Sequence, residues 1–394
     1  MPRLTTSGWV AAAPGDELLE ALAAPAARRP TISLLLRTDP RAGAEAAATP
    51  AWLVAVRNGL RDISDALEAG DDRDARLAWR ERREAVATEL EALPSAARGR
   101  SLVWFLDLAG ELDVRHVLQV PLRETLVTLA DGPVIAPLIE ALDRSAPVGV
   151  VLVSGERVRL VHWAHGHVDE AGEEVFELEG DGWRPYRGPS SATPGRERTG
   201  ATHVEQLEAR REEHRDRFFA AAAQATAQRL AERGWERVMV AAERATASRF
   251  RDALGPEVAG RLVAELPLNA VDAPEREIAD RVEPAVAELH RREAQEAAAA
   301  LAGDGGHAAV GPAAVLAALA QGQVEHLVLD PYHRPADGPL PPIAGEVLGE
   351  GGAEVVPERA VEAAIAAGAR VTTLEAGASP ALQAADGMLA GLRW

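Results

Sequence analysis

The chain contains no cysteine. Disulfides, thiolate nucleophiles and cysteine-based zinc sites are therefore excluded, and the composition is compatible with a reducing compartment. Lysine is absent as well, so all 42 basic residues are arginine. That rules out Schiff-base chemistry and the lysine of a phosphate-binding P-loop. Long apolar runs are also missing. Trp9-Val10-Ala11-Ala12-Ala13 is interrupted by Pro14, Asp16 and Glu17 before it could form the centre of a secretion signal, and nothing approaches membrane-spanning length. The expectation is a soluble cytoplasmic protein without a membrane partner. Gly303-Asp304-Gly305-Gly306 has neither the spacing nor the preceding strand of a dinucleotide fingerprint, and no nucleophile elbow occurs. No cofactor, small-molecule substrate or catalytic residue is expected. Positive charge is in deficit, with 42 basic against 61 acidic residues and a net charge of −19. A polyanion would be repelled by the molecule as a whole and must be met through a local basic patch.

What is present is apolar material in quantity: 394 residues at 47% hydrophobic content, enough for two or three domains of ordinary size. Periodicity predicts an N-terminal α+β domain over residues 1–142. Its helices are placed at 16–24, 51–69 and 74–93, and its strands at 31–37, 101–106, 114–120 and 124–129. A central α/β domain over 143–302 opens with a hairpin pattern at 148–153 and 158–163. It continues through an exposed arginine-bearing loop, 183–203, into a long helix from about His203 to Arg233. Val204, Leu207, Arg211, His214, Phe218, Ala222 and Leu230 trace the inner face of that helix. Strands at 235–241 and 262–266 and helices at 245–254 and 274–301 complete the domain. The Ala-rich and then Gly-rich stretch 297–311 reads as a linker or hinge. A C-terminal domain over 303–394 follows, with helices at 312–320, 358–367 and 380–389 and strands at 324–329 and 370–374.

Four groups of residues carry chemical possibilities. In the loop, Arg184, Arg187, Arg196 and Arg198 are opposed only by Glu197, and Trp183 and Tyr186 stand among them. Guanidinium groups bind phosphate bidentately, and aromatic rings stack on bases. A loop kept soluble by arginine has the same composition. His162, His165, His167 and Asp169 have metal-ligand chemistry at short spacing, but Gly166 between them fits a hairpin turn better, and no metal site is assigned. On the long helix, Arg210, Arg211, Arg215 and Arg217 alternate with Glu208, Glu212, Glu213 and Asp216, the pattern of a solvated, salt-bridged face. Asp330-Pro331-Tyr332-His333-Arg334 follows a strand and reads as a turn or a contact loop.

The C-terminal segments 322–329, 363–374 and 386–394, the last reading Asp-Gly-Met-Leu-Ala-Gly-Leu-Arg-Trp, resemble the final domain of archaeal and eukaryotic peptide release factors and Pelota. Residues 148–301, with the loop followed by Leu207-Glu208-Ala209-Arg210-Arg211, are similar to the ribonuclease H-like middle domain of that family. The likeness is greatest to its bacterial branch, which includes Balon-type ribosome hibernation factors. The resemblance implies a C-terminal α/β/α domain and a monomeric factor bound to rRNA in the ribosomal A site, acting in hibernation, rescue or stress. Arg184, Tyr186, Arg187, Arg196, Arg198, Gly200, Thr202, His203, Arg210 and Arg211 would then face RNA. Tyr332, His333 and Arg334 would meet rRNA or a translational GTPase. Where release factors carry Gly-Gly-Gln, this chain reads Gly200-Ala201-Thr202, so the glutamine that positions water is missing and a non-catalytic role is expected. Two alternatives stay open: a peptidyl-tRNA hydrolase using His203 or Thr202, and a stress-response binding module with no ribosome partner.

Overall fold

The computed structural model describes residues 3–25, 28–39, 41, 49–94, 97–175, 199–269, 271–336, 345–348 and 355–394, with side chains for all of these except 173–175, 199–211 and 346. The chain divides into two compact units, one made of residues 1–146 with 287–394 and the other of 147–286.

The first unit begins with β1 (Leu4–Thr5), α1 (Asp16–Ala23), β2 (Pro30–Arg37), α2 (Ala51–Ala69), α3 (Arg73–Ala92), β3 (Ser101–Asp107), β4 (Leu112–Leu118), β5 (Leu126–Asp131) and α4 (Ala136–Asp143). Its sheet has the order β1-β4-β3-β2-β5, antiparallel except where β1 runs parallel to β4. Successive side chains of a strand point to opposite faces, and β2 is buried on both. Ile32, Leu34 and Leu36 meet Trp52, Val56, Leu60, Trp79, Val86 and Leu90 of the α2–α3 hairpin. Leu35 faces the other way, with Val103, Phe105, Val114 and Leu118, into a second core. The buried Ser33 hydroxyl accepts the Val134 N–H at 2.9 Å, so no polar group is left unmatched there.

The second unit runs β6 (Val148–Val153), β7 (Arg157–Ala164), β8 (His167–Val175), α5 (Thr199–Arg233), β9 (Val238–Ala242), α6 (Arg244–Ala253), α7 (Pro256–Ala259) and β10 (Leu262–Pro267). Its sheet order is β10-β9-β6-β7-β8; β10, β9 and β6 are parallel, while β6, β7 and β8 form an antiparallel meander. Phe218, Phe219, Ala222, Leu230, Phe250 and Val258 of the helices cover Val151, Val153, Leu160, Val238 and Val240. α8 (Glu275–Gly303) starts in this unit, where Ile278 and Val282 are buried and the Ala279 carbonyl accepts Trp163 Nε1–H at 3.3 Å. It ends in the first unit.

There the chain adds β11 (Ala308–Val310), α9 (Pro312–Ala320), β12 (Val324–Leu329), α10 (Gly345–Leu348), α11 (Val356–Ala366), β13 (Arg370–Thr373), α12 (Pro380–Ala384) and β14 (Met388–Leu392). The sheet order is β11-β14-β12-β13. Helices cover both faces. Ala294 and Ala298 of α8 and Leu382 of α12 pack on Val328 and Leu389, whereas Val315, Leu316, Val356, Ala360 and Val361 of α9 and α11 pack on Leu327, Leu329 and Ala390. The latter layer is continuous with the second core of the N-terminal sheet, so residues from both ends of the chain share one apolar interior.

Three sequence expectations are corrected. The stretch 297–311 is no linker: α8 runs into it as far as Gly303, with alanines at 294 and 298 small enough to lie flush against the sheet, and β11 follows as an edge strand. The last helix ends at Ala384 rather than 389. Asp386 (φ 50°) and Gly387 (φ 76°) turn the chain, and β14 inserts between β11 and β12. A Cβ at Gly387 would lie 2.4 Å from the His333 ring, so only glycine fits this turn. The inner face of α5 is also displaced: His214 is exposed, and Phe219 and Ala223 join Phe218, Ala222 and Leu230.

Candidate functional site

The arginine-bearing segment is held at both ends by the second unit. Val175, the last residue of β8, pairs with Arg157 on β7, and the chain re-enters at Thr199 as the first residue of α5. Arg184, Tyr186, Arg187, Arg196 and Arg198 lie outside the described residues. Gly200, Thr202, His203, Arg210 and Arg211 have helical backbone, so α5 begins about four residues earlier than the periodicity suggests; their side chains lie outside the description. From Thr199 to the buried Phe218 the helix axis spans roughly 28 Å at 1.5 Å per residue.

Farther along, four guanidinium groups of this unit are engaged by carboxylates. Arg217 pairs with Glu213 at 2.5 Å one turn away, Arg249 with Glu212 at 3.6 Å, Arg157 with Asp272 at 2.8 Å, and Arg251 with Glu265 at 2.7 Å. Of the pairs read from the sequence along α5, Arg217–Glu213 forms within the helix, Glu212 turns to Arg249 of α6, and Arg215 Nε is buried without a hydrogen-bond partner among the described residues. The histidine cluster resolves into a turn: His165 (φ 49°) and Gly166 (φ 81°) connect β7 to β8, and His162 Nδ1 accepts Trp235 Nε1–H at 3.0 Å. Burial holds His162 below the usual histidine range, with Asp169 opposing the shift. Among the described residues no group of three or more potential ligands converges on a metal position.

The loop after β12 is stapled to its surroundings. Asp330 accepts Tyr332 N–H at 3.0 Å and Ala376 N–H at 2.9 Å. The Arg123 guanidinium lies 4.5 Å from the Tyr332 ring centre, donates to Glu140 at 2.6 Å and sits 3.7 Å from Asp330. Burial, with Glu140 and Glu124 nearby, pushes the Tyr332 phenol above its ordinary value. His333 Nε2 bonds Asp386 at 2.7 Å, and Asp386 also accepts Ala336 N–H at 2.9 Å. These contacts hold Asp386 below the ordinary carboxylate value against the opposing effect of burial. Tyr332 and His333 are half-buried and serve the loop's own geometry; Arg334 is exposed.

The sequence offered no sign of a third arrangement, around α4. Ile135 N–H and Ala136 N–H, at the start of that helix, donate to Glu358 of α11 at 2.6 and 3.0 Å. At its other end, Asp143 Oδ2 accepts both Thr373 N–H at 2.6 Å and Thr373 Oγ1–H at 2.9 Å. Beside Glu358, Arg359 donates to Glu362 at 2.7 Å and to the Asp131 carbonyl at 2.7 Å, and Arg28 reaches the Val347 carbonyl at 3.1 Å. Burial raises the Glu362 carboxyl above its ordinary value, against the pull of Arg359 and Arg28. It raises Asp143 likewise, with His290 and Thr373 opposing. An eight-residue helix is thus held at each end by the C-terminal part of the same unit, and in between by Arg123 on Glu140.

Residues 133–288, which take in α4 and all of the second unit, match the family model described as Bacterial archaeo-eukaryotic release factor family 10. The bacterial release-factor-like family read from the sequence is found in that segment. Among solved structures, the archaeal translation termination factor aRF1 is 18% identical, with 96% of each chain covered and a TM-score of 0.23. Pelota from Archaeoglobus fulgidus is 15% identical over 75% of this chain and 79% of its own, with a TM-score of 0.36. Dom34 of S. cerevisiae, described as a translation termination-like factor involved in RNA quality control and interacting with Hbs1, is 10% identical over 79% and 76%, with a TM-score of 0.35. At scores this low the superpositions locate no residue of this chain against those proteins. No curated protein matches the chain.

Proposed function

We propose that this chain is a ribosome-associated translation factor that occupies the A site without cutting peptidyl-tRNA, in hibernation or rescue. The observation that carries the reading is the release-factor family match over 133–288, centred on the unit that bears the arginine segment. The strand order β8-β7-β6-β9-β10, a three-stranded meander followed by two parallel strands, supports a ribonuclease H-like middle domain. An archaeal Pelota among the similar structures is described as ribosome-bound together with ABCE1; a ribosomal partner for this chain is part of the proposal. Charge supports the location of contact. Arg157, Arg217, Arg249 and Arg251 already face carboxylates, and on a molecule of net charge −19 the arginine-rich segment with Arg184, Arg187, Arg196 and Arg198 is proposed as the phosphate contact. Tyr332 and His333 hold their own loop, which leaves Arg334 as the side chain of that trio available to rRNA or a translational GTPase.

Cosedimentation with 70S particles at rising salt tests the reading. Wild type binds with an affinity that falls steeply with salt. Replacing all four arginines by alanine weakens binding and lowers the log–log salt slope by about 3, since each lost phosphate contact removes 0.7 to 0.9 of slope. Unchanged binding and slope would remove the electrostatic role. In a peptide-release assay the protein stays at background; release above background would favour a hydrolase.

A further inference from the structure

The chain passes from the first unit to the second after Ala146 and returns after Val286. Asp143 closes α4 just before the first crossing, and His290 stands on α8 just after the second. Both bind one residue, Thr373, at the end of β13. The Thr373 N–H and hydroxyl go to Asp143 Oδ2, at 2.6 and 2.9 Å. Its carbonyl accepts His290 Nε2–H at 2.8 Å, and that nitrogen lies 3.6 Å from the same Asp143 oxygen. Thr373 and His290 are 2% and 8% exposed, so water does not compete readily for these bonds.

The position in the sheet explains why Thr373 is free to do this. Among the described residues β13 is an edge strand paired with β12 alone, and Leu374 N–H returns to the Leu329 carbonyl. Thr373 therefore turns its own N–H and carbonyl outward, where an unpaired edge would otherwise be left. Each of its three polar groups is used on a segment that leads into residues 147–286.

We propose that Thr373 is a clasp that joins the two chain crossings, so that they open together as one two-state event rather than fraying separately. The assignment is independent of the ribosome reading, because it rests on contacts inside the first unit.

Hydrogen exchange read by mass spectrometry on the full-length protein tests it. Asp143→Ala is expected to speed exchange about tenfold at residues 143–149 and also at 287–292, across the clasp on a different helix. His290→Phe is expected to do the converse, opening the 143–149 segment although it leaves Asp143 in place. Acceleration confined to the crossing that carries the substitution would overturn the proposal. If Asp143→Ala does not fold, Thr373→Val keeps the strand's shape and removes only the hydroxyl. Faster exchange at both crossings in that variant supports the clasp, and a change at one crossing or at neither overturns it.

Discussion

His116 shows how a single buried group couples this fold to pH. It lies on β4 at 5% exposure, on the strand face that enters the shared core, and its Nδ1–H donates to the Ala12 carbonyl at 2.8 Å. Nε2 is buried and has no hydrogen-bond partner among the described residues. Protonation would put a charge into apolar surroundings, and burial holds the pKa below its ordinary 6.5 despite the Ala12 bond. Below pH 6.5 the unfolded chain takes up a proton that the folded one refuses, so this contribution to stability is present above 6.5 and is lost as pH falls through the folded value. Urea midpoints measured at about pH 7.5 and about pH 5.5 are expected to drop in wild type and to drop less in His116→Asn, which keeps a donor for Ala12 and does not titrate. Equal drops would show that other groups carry the dependence. Tyr332 and His333 teach the complementary lesson. Their local pattern read as a turn or a contact loop, and the intramolecular partners they have, Arg123 and Asp386, lie far away in the chain.

Among the elements, α4 depends most on others. It is short, and the residue before it offers no side-chain cap, so its first N–H groups would be unsatisfied but for Glu358. Glu358→Ala is expected to cost about 1 kcal/mol in chemical denaturation, as the loss of an N-cap does, and Glu358→Gln, with one acceptor oxygen retained, costs less. A loss equal to that of an exposed substitution would contradict the capping role. The long helices α2, α3 and α5 and the β6–β7 hairpin were legible because their apolar spacing is local and strong. α4, β1, β8, β11 and β14 were not. β14 reads Met-Leu-Ala-Gly-Leu, poor in β-branched residues, and becomes a strand because neighbours on both sides pair with it.

At the scale of the whole molecule, one apolar interior joins residues from both ends of the chain, which the order of its residues does not announce. Leu35, Val103, Phe105, Val114 and Leu118 of the N-terminal sheet are covered in part by residues beyond 308. At about 2 kcal/mol for a fully buried side chain, partial exposure of these five costs up to about 10 kcal/mol, a large share of the stability of an ordinary domain. A fragment of residues 1–146 is therefore expected to lack a cooperative thermal transition by calorimetry, whereas 147–286, with its own core, shows one. A cooperative transition in isolated 1–146 would contradict the shared interior.

The amino-acid order alone determined the charge balance, the exclusion of cysteine and lysine chemistry, most helices and strands, and the release-factor likeness of the central segment, because each depends on composition or on neighbours within a few positions. Tertiary structure decided that the alanines of α8 pack instead of hinging, that the loop at Tyr332 is stapled, and that α4 is held at both ends. Glu358 caps a helix that begins 222 residues earlier, and Thr373 meets Asp143 across 230. No local periodicity encodes contacts at that separation; they arise only when burial brings both partners out of water together.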